Sequence, residues 1–182
     1  MPTHRRSIIG HMLLVAVADG VCGAAKASVD ITYKRHGLSF GDSEVVRGLR
    51  VNFADRKMRD VQGINLTLWR PADPWSAPEP AGSSVLGLAL GAFPRAATLT
   101  GVQLGLAAIR GTNVRGVGLA PGIGAEEDLS GLYAGIGAGV GRDIKGVLAV
   151  LGGAGAGRDL TGILVAGFGA GVGRDVHGAL FT

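Results

Sequence analysis

Three six-residue segments near the end of the chain share one pattern, a glycine, an arginine and an aspartate followed three residues later by a second glycine. They are Gly141–Gly146, Gly157–Gly162 and Gly173–Gly178, and their aspartates stand sixteen residues apart. A fixed period with a fixed turn signal is typical of repeat architectures. The same period continues toward the N-terminus as far as Val45. We therefore expect a stack of similar units.

Nine copies of the repeat can be aligned, and we number the positions in each copy from its first residue. The fourth position is always glycine, the second and fifth are aliphatic, and the seventh is apolar. Positions five, seven and nine share one face of a strand, and we predict that positions two, five and seven face inward. Since two and five have opposite parity, the backbone must bend between them, at a glycine that avoids a clash or adopts a positive φ. The copies begin at Val45, Asp60, Ser84, Thr98, Asn113, Asp128, Asp143, Asp159 and Asp175.

Two all-β architectures fit a unit of this length. One is a parallel β-solenoid with two short strands in each 15–16-residue coil, and the other is an antiparallel outer-membrane β-barrel with one strand in each repeat. The last two intervals contain one extra residue, which would reverse the faces of a continuous strand. An extra residue is harmless at a turn or bulge in the middle of the repeat, which implies two strands. A barrel also needs aromatic girdles, and the glycine-rich half offers only Tyr133, Phe168 and Phe181. The solenoid is therefore the predicted fold, with the barrel as the alternative.

Residues 1–27 have the pattern of a secretory signal peptide. Arg5 and Arg6 precede an apolar run, and Ala25 and Ala27 supply small residues at the cleavage positions. The apolar run is too short to cross a bilayer as an anchor. Cleavage would remove Cys22, the one cysteine, which excludes a disulfide scaffold and a cysteine-based zinc site. We expect export to the periplasm, the cell surface or the extracellular space.

The remaining chain divides into two parts. Residues 28–44 predict an N-terminal capping strand and turn, and residues 45–182 form the β-repeat domain. A proline-rich loop insertion at 70–83 holds four of the seven prolines, which cannot donate to a strand ladder. Without the signal peptide the formal charge falls to 15 − 13 = +2. Because the arginines mostly stand beside acids, no nucleic-acid-binding stripe is predicted.

The repeat pattern V-x-G-[VIL]-x-[LV] is clearest where Gly101–Leu106 reads Gly-Val-Gln-Leu-Gly-Leu. It resembles the bacterial glycine- and leucine-rich surface-repeat proteins, whose tandem units read V-x-G-L-Q-L-G-L. The resemblance covers Val45 to Thr182, although Asn52 and Thr67 replace the small residue of the family pattern. It implies a secreted or surface-exposed protein without an assigned activity.

The sequence offers few candidates for chemistry. It contains no G-x-G-x-x-G, G-x-S-x-G or H-E-x-x-H motif and no Walker lysine. A column of aspartates could collect calcium, but arginines precede three of them, so we predict an ion-pair ladder. Glu126, Glu127 and Asp128 could serve glycoside hydrolysis, although adjacent acids on a turn are usually solvated. We expect no enzyme activity, no catalytic residue, no cofactor and no metal site. The aspartates of the column are Asp128, Asp143, Asp159 and Asp175.

Partner contacts are predicted in two places. Trp69 and Trp75 flank or lie in the proline-rich loop, where they could stack on a sugar or a partner. Positions six and eight turn from polar to apolar along the chain, which predicts an outer apolar patch and a homo-oligomer formed through the C-terminal coils, wall to wall or end to end. The patch residues are Leu148, Val150, Leu164, Ala166 and Leu180.

The function expected from these patterns is that of an exported, non-catalytic structural or binding β-repeat protein of the bacterial cell surface. A small outer-membrane barrel is the first alternative, and a carbohydrate-acting or carbohydrate-binding solenoid is the second. Membrane contact is possible in principle but less favoured than self-association. Nothing in the sequence identifies a ligand.

Overall fold

The computed structural model describes residues 29–33, 36–41, 43–53, 58–68 and 82–182. All regular structure in these ranges is β. The predicted signal peptide and nearly all of the proline-rich loop lie outside the described residues. The strands are β1 (Val29–Tyr33), β2 (His36–Phe40), β3 (Val45–Asn52), β4 (Asp60–Thr67), β5 (Ser84–Gly91), β6 (Arg95–Gly105), β7 (Ala108–Leu119), β8 (Gly122–Gly135), β9 (Gly137–Val140), β10 (Ile144–Val150), β11 (Gly153–Ala156), β12 (Leu160–Ala166), β13 (Gly169–Val172) and β14 (Val176–Phe181).

One long sheet contains the first half of every repeat. Its strands follow the order β1-β2-β3-β4-β5-β6-β7-β8-β10-β12-β14. From β2 onward every neighbouring pair is parallel, and equivalent repeat positions lie opposite each other, as Gly131 and Gly146 do. The chain is therefore a parallel β-solenoid, as predicted. Parallel pairing contradicts the antiparallel barrel that the sequence left as an alternative.

A hairpin occupies the N-terminal end of this sheet. The strands β1 and β2 are antiparallel to each other, and β2 then pairs in parallel with β3. The sequence predicted one strand followed by a polar turn, whereas His36–Phe40 form a second strand.

A second, shorter sheet supplies the other strand of the later coils. Strands β9, β11 and β13 pair in parallel with one another, and β9 pairs with the first residues of β8. The long strands β6, β7 and β8 pass from one sheet into the other. Two strands per coil were predicted, and the coils from Ser84 onward confirm it, whereas the described parts of the first two coils contain one strand each.

The extra residue of the last repeats lies in the turn between the two sheets. Ala134 pairs with Ala149 in the long sheet, and Ala138 pairs with Ala154 in the short one. The chain thus takes four steps from Ala134 to Ala138 and five from Ala149 to Ala154. The insertion is in a turn, as predicted, so both strands keep their inward faces.

The fourth-position glycines form a continuous column through the long sheet. Their φ angles lie between 119° and 148°, a region that other residues rarely adopt. A Cβ on Gly131 would overlap the carbonyl oxygen of Gly116, and one on Gly146 would overlap that of Gly131. The strained conformation and the close stacking therefore both require glycine, as predicted.

The prediction of which side chains face inward was wrong in part. In every copy before the last, positions two and six are buried and position eight is buried or, where it is glycine, half-buried, whereas positions five, seven and nine point out of the solenoid. In β10, for example, Ile144, Leu148 and Val150 are buried, and Val147 and Ala149 are half-buried on the outer side. The glycine bends the backbone without reversing the parity of the residues that follow it. The face shared by positions five, seven and nine was correctly grouped but lies outside.

The interior changes character along the stack. In the N-terminal coils Arg50 is fully buried, and its Nη1 donates to Asn65 Oδ1 at 3.0 Å while its Nε donates to the Ser43 carbonyl oxygen at 3.1 Å. Midway, the buried Tyr133 hydroxyl donates to Gln103 Oε1 at 3.1 Å. Farther on, the same column is filled by leucines, so the core becomes wholly apolar toward the C-terminal coils.

Candidate functional site

Most of the predicted contact residues that the structure describes are buried inside the solenoid. Leu148 and Leu164 are 0 % exposed and Val150 is 5 % exposed, so the predicted outer patch is wrong. These residues fill the inward positions six and eight. Leu180 holds the same column on β14, the last strand of the sheet, and is 37 % exposed. Trp69 and Trp75 lie outside the described residues.

The exposed apolar surface is formed instead by positions five, seven and nine of the repeats. We call this surface the apolar wall; its described side chains are all apolar. Leu119 is 57 % exposed and Leu106 is 83 % exposed, although both are large aliphatic residues. Position five of the wall holds Leu49, Ile64, Leu88, Val102, Val117, Leu132, Val147, Ile163 and Ala179. Position seven holds Val51, Leu66, Leu90, Leu104, Leu119, Ala134, Ala149, Val165 and Phe181. Position nine holds Phe53, Leu68, Ala92, Leu106, Pro121, Ile136 and Leu151.

An open trough runs along the wall between positions seven and nine. Its volume is about 950 Å³, and it extends from the coil of Leu66 to that of Val165. Leu104, Leu106 and Leu151 are among its lining residues. A trough of this length crosses seven consecutive coils, so it is a property of the repeat and not of one local cavity.

The wall is more uniform than the core beneath it. Position six contains arginine, asparagine, glutamine, tyrosine and leucine in different coils, whereas positions five and seven remain apolar in all nine. An apolar surface that merely faced water would gain nothing from this uniformity. Exposed patches larger than a few hundred square ångströms mark interaction sites on soluble proteins. The wall is therefore the best candidate for a functional surface.

A second feature is a ladder of charges that runs from Glu127, within β8, along the turns before β10, β12 and β14. Each arginine approaches an acid of the preceding coil: Arg142 lies 3.3 Å from Glu127, Arg158 lies 3.6 Å from Asp143, and Arg174 lies 2.8 Å from Asp159. Such pairs on a solvated surface contribute little to stability individually. The geometry is that of the ion-pair ladder expected from the sequence.

The ion pair between Arg174 and Asp159 has the best hydrogen-bond geometry of the ladder. Arg174 donates two hydrogen bonds to the Asp159 carboxylate, from Nε at 3.2 Å and from Nη2 at 2.8 Å. Hydrogen bonding from Arg174 lowers the pKa of Asp159, aided by the backbone N–H of Asp175 and opposed in part by desolvation. The same hydrogen bonds raise the pKa of Arg174. Both groups are thus held in their charged forms, which suits an ion pair and not proton transfer.

The acidic cluster considered for glycoside hydrolysis is occupied by neighbouring polar groups. Glu126 accepts a hydrogen bond from Thr112 at 3.2 Å and lies 3.8 Å from Arg110. Glu127 accepts a hydrogen bond from Asn113 at 3.3 Å and pairs with Arg142. In the parts of the chain that the structure describes, no three His, Cys, Asp or Glu side chains are grouped closely enough to hold a metal ion.

One strongly perturbed titratable group belongs to the core. Burial raises the pKa of the Tyr133 phenol far above its usual range. Its ring lies over Gly118, where an added Cβ would come within 2.5 Å of two ring carbons. The side chain thereby reaches across one coil to Gln103. Tyr133 is buried inside the solenoid, where it packs against the core.

One signal in the sequence could have located the wall on the outside. Position six carries Gln103, Gly118 and Tyr133 in successive coils, so a large residue follows the smallest one. Such compensation of volume is needed in a filled interior and not on a solvated face. Arg50 and Asn65 in the same column made that interior appear polar and hence external.

No helix in the described ranges has the length and apolar character needed to cross a membrane. No protein-family model, no curated protein and no solved structure matches the chain.

Proposed function

We propose that this chain is an exported, non-catalytic β-solenoid that acts as a structural or binding element of the bacterial cell surface. The observation that carries the proposal is the apolar wall, which is uniform over the repeats while the core is not. A surface of this kind is useful only when something covers it. The wall would therefore be the contact surface of the protein.

The charged groups support a non-catalytic role. Catalytic acids and bases usually have pKa values shifted toward the working pH by burial or by like charges. The carboxylates of Glu127, Asp143 and Asp159 each face an arginine at ion-pair distance. The ladder therefore pairs these acids with cations.

Export is supported by the N-terminal sequence and by the resemblance to surface-repeat proteins. Arginines, an apolar run and small residues precede Ser28 in the order that a signal peptidase requires. The repeat has the pattern of proteins that are secreted or exposed on bacterial surfaces. Both arguments point to a location outside the cytoplasm.

Expression with the native N-terminus in a Gram-negative host tests this location. We expect the cell-envelope or extracellular fraction to contain a shortened chain that begins at Ser28, as determined by mass spectrometry. A matched Leu13→Arg/Leu14→Arg variant interrupts the apolar run and should remain unprocessed. An unshortened wild-type chain found only in the cytoplasm would contradict the proposal.

A further inference from the structure

We propose that the partner of the apolar wall is a second copy of this chain, packed wall against wall about a two-fold axis. The inference rests on the proposed function, in which the wall is a contact surface, and it names the partner. The two long sheets would lie face to face, as the two sheets of a β-sandwich do at a separation of about 10 Å. Three properties of the wall support this partner.

The first property is its size. The wall spans nine strands of the long sheet, from β3 to β14. At about 4.8 Å per strand and about 3.3 Å per residue, it covers roughly 40 Å by roughly 16 Å. Two copies would together bury on the order of 1,200 Å², which reaches the lower limit of stable, specific interfaces. The wall alone is therefore large enough to form the interface of a stable dimer.

The second property is its shape. Leucines at position nine stand out from the surface, with Leu106 83 % and Leu151 74 % exposed, and the trough lies directly beside them. In a two-fold pair each surface meets its own copy, so a ridge beside a trough is complementary to itself. The ridge of each copy would fill the trough of the other, so the same contact would occur twice in the dimer. A surface without a protruding row would leave the trough empty.

The third property is the chemistry of the border. Position three places Arg47, Arg115 and Lys145 beside position five, but position one of the same sheet carries Asp60 and Asp143. The border is therefore mixed in sign, whereas surfaces that bind anionic bilayers are rich in Lys and Arg and often carry Trp. The described wall contains neither Trp nor Tyr. It also presents no polar side chain that would orient a small ligand.

Sedimentation equilibrium of the purified protein tests the inference. We expect the wild type to form dimers at micromolar concentrations. Leu104 and Leu119 lie opposite each other on β6 and β7, in the middle of the wall. A Leu104→Lys/Leu119→Lys variant should raise the dissociation constant at least about 100-fold, because charges would be buried without partners. A control variant, Thr100→Lys/Thr161→Lys, adds the same charge outside the wall and should dimerise like the wild type.

Cross-linking tests the symmetry independently of any weakening substitution. For the ridge of one copy to fill the trough of the other, the two-fold axis must run parallel to the stack between positions seven and nine, so residues beside that axis lie close to their own copies. Leu119 is at position seven on β7 and lines the trough. In a Cys22→Ser background, Leu119→Cys should be joined efficiently by a short bis-maleimide, and Thr161→Cys, at position three, should not. Equal yields for the two positions would contradict the arrangement.

The outcomes separate this inference from the proposed function. Suppose that the wild type is a monomer at 100 µM and floats with phosphatidylethanolamine–phosphatidylglycerol vesicles, and that the Leu104→Lys/Leu119→Lys variant does not float. This result would overturn the proposal that the partner is a second copy, but it would retain the wall as a contact surface. A monomer that binds no vesicles overturns both. A dimer that the lysines leave unchanged places the interface elsewhere and overturns the inference.

Discussion

The N-terminal and C-terminal coils share one backbone but are held together in different ways. In β3 and β4 the inward column contains Arg50 and Asn65, joined by a hydrogen bond. In β10 and β12 the same column contains Leu148 and Leu164, which are fully buried in the apolar core. Yet the strands pair in the same register and the outer wall is equally apolar in both regions.

The comparison shows which part of the repeat determines the fold. The glycine column and the parallel ladder are common to both regions, so they define the coil. The interior can differ between coils as long as its volume is filled and its polar groups are hydrogen-bonded. A buried polar group needs a hydrogen-bond partner, and a buried apolar group needs apolar neighbours. Substitutions in the common backbone and in the variable interior should therefore have different effects.

The largest effect is expected for the shared glycine column. Gly63→Val in an N-terminal coil and Gly146→Val in a C-terminal coil should each lower the free energy of unfolding by at least about 3 kcal/mol, because φ is strained and the neighbouring carbonyl is in the way. Chemical denaturation measures this. Controls at the outward position three, Ser130→Ala and Lys145→Ala, should change it by less than about 0.5 kcal/mol. A tolerated valine in either region would refute the common backbone.

The next effect comes from exchanging the two kinds of interior. Leu164→Asn should lower the free energy of unfolding by roughly 3–5 kcal/mol, because it removes buried apolar volume and introduces an unpaired amide. Asn65→Leu should cost about 2–3 kcal/mol, because Nη1 of Arg50 loses its acceptor. The conservative Leu164→Met should cost under about 1.5 kcal/mol. If both exchanges were neutral, the interiors would be interchangeable and the comparison would fail.

A smaller effect is expected at the boundary between the two interiors. Tyr133→Phe should cost about 1–2 kcal/mol, because Gln103 Oε1 loses its donor. Gly118→Ala should cost roughly 1–3 kcal/mol, because the new methyl group meets the tyrosine ring. A double-mutant cycle with Tyr133→Leu should recover most of the Gly118→Ala loss. Additive losses would show that Gly118 is required for another reason.

The smallest effect should come from the ion-pair ladder outside the core. Because the pKa of Asp159 is lowered in the folded state, its pairing with Arg174 stabilises the protein above the unfolded pKa of aspartate and ceases to do so as the pH falls through the folded value. The melting temperature of Arg174→Gln should therefore lie slightly below that of the wild type at pH 7 and coincide with it near pH 2. Arg115→Gln is the control of equal charge.

Because of the same ladder, we expect calcium to have no effect on the stability of the protein. If arginines neutralise the aspartates, adding calcium or EDTA should leave the melting temperature of the purified protein unchanged. A rise of several degrees with calcium would mean that the ion stabilises the folded state by binding to it. Differential scanning calorimetry at constant ionic strength distinguishes the two results.

The sequence predicted what a fixed spacing can determine. The glycine at position four, the two strands per coil and the turn that receives the extra residue all follow from the period. It did not predict which alternating set faces inward, because in Val147, Leu148, Ala149 and Val150 both sets are apolar. A period of two groups residues by face but does not say which face is inside. The most regular column was assigned to the core, and it proved to be the wall.

At the level of the backbone each described coil contacts only the coils beside it, and the glycine column fixes how they meet. A gene for such a chain can therefore gain or lose a whole repeat by recombination without disturbing the remaining coils. Every added repeat would extend the wall by one row, about 4.8 Å. Copy number would then set the length of the contact surface, and with it the affinity for a partner, in steps that need no new side-chain chemistry.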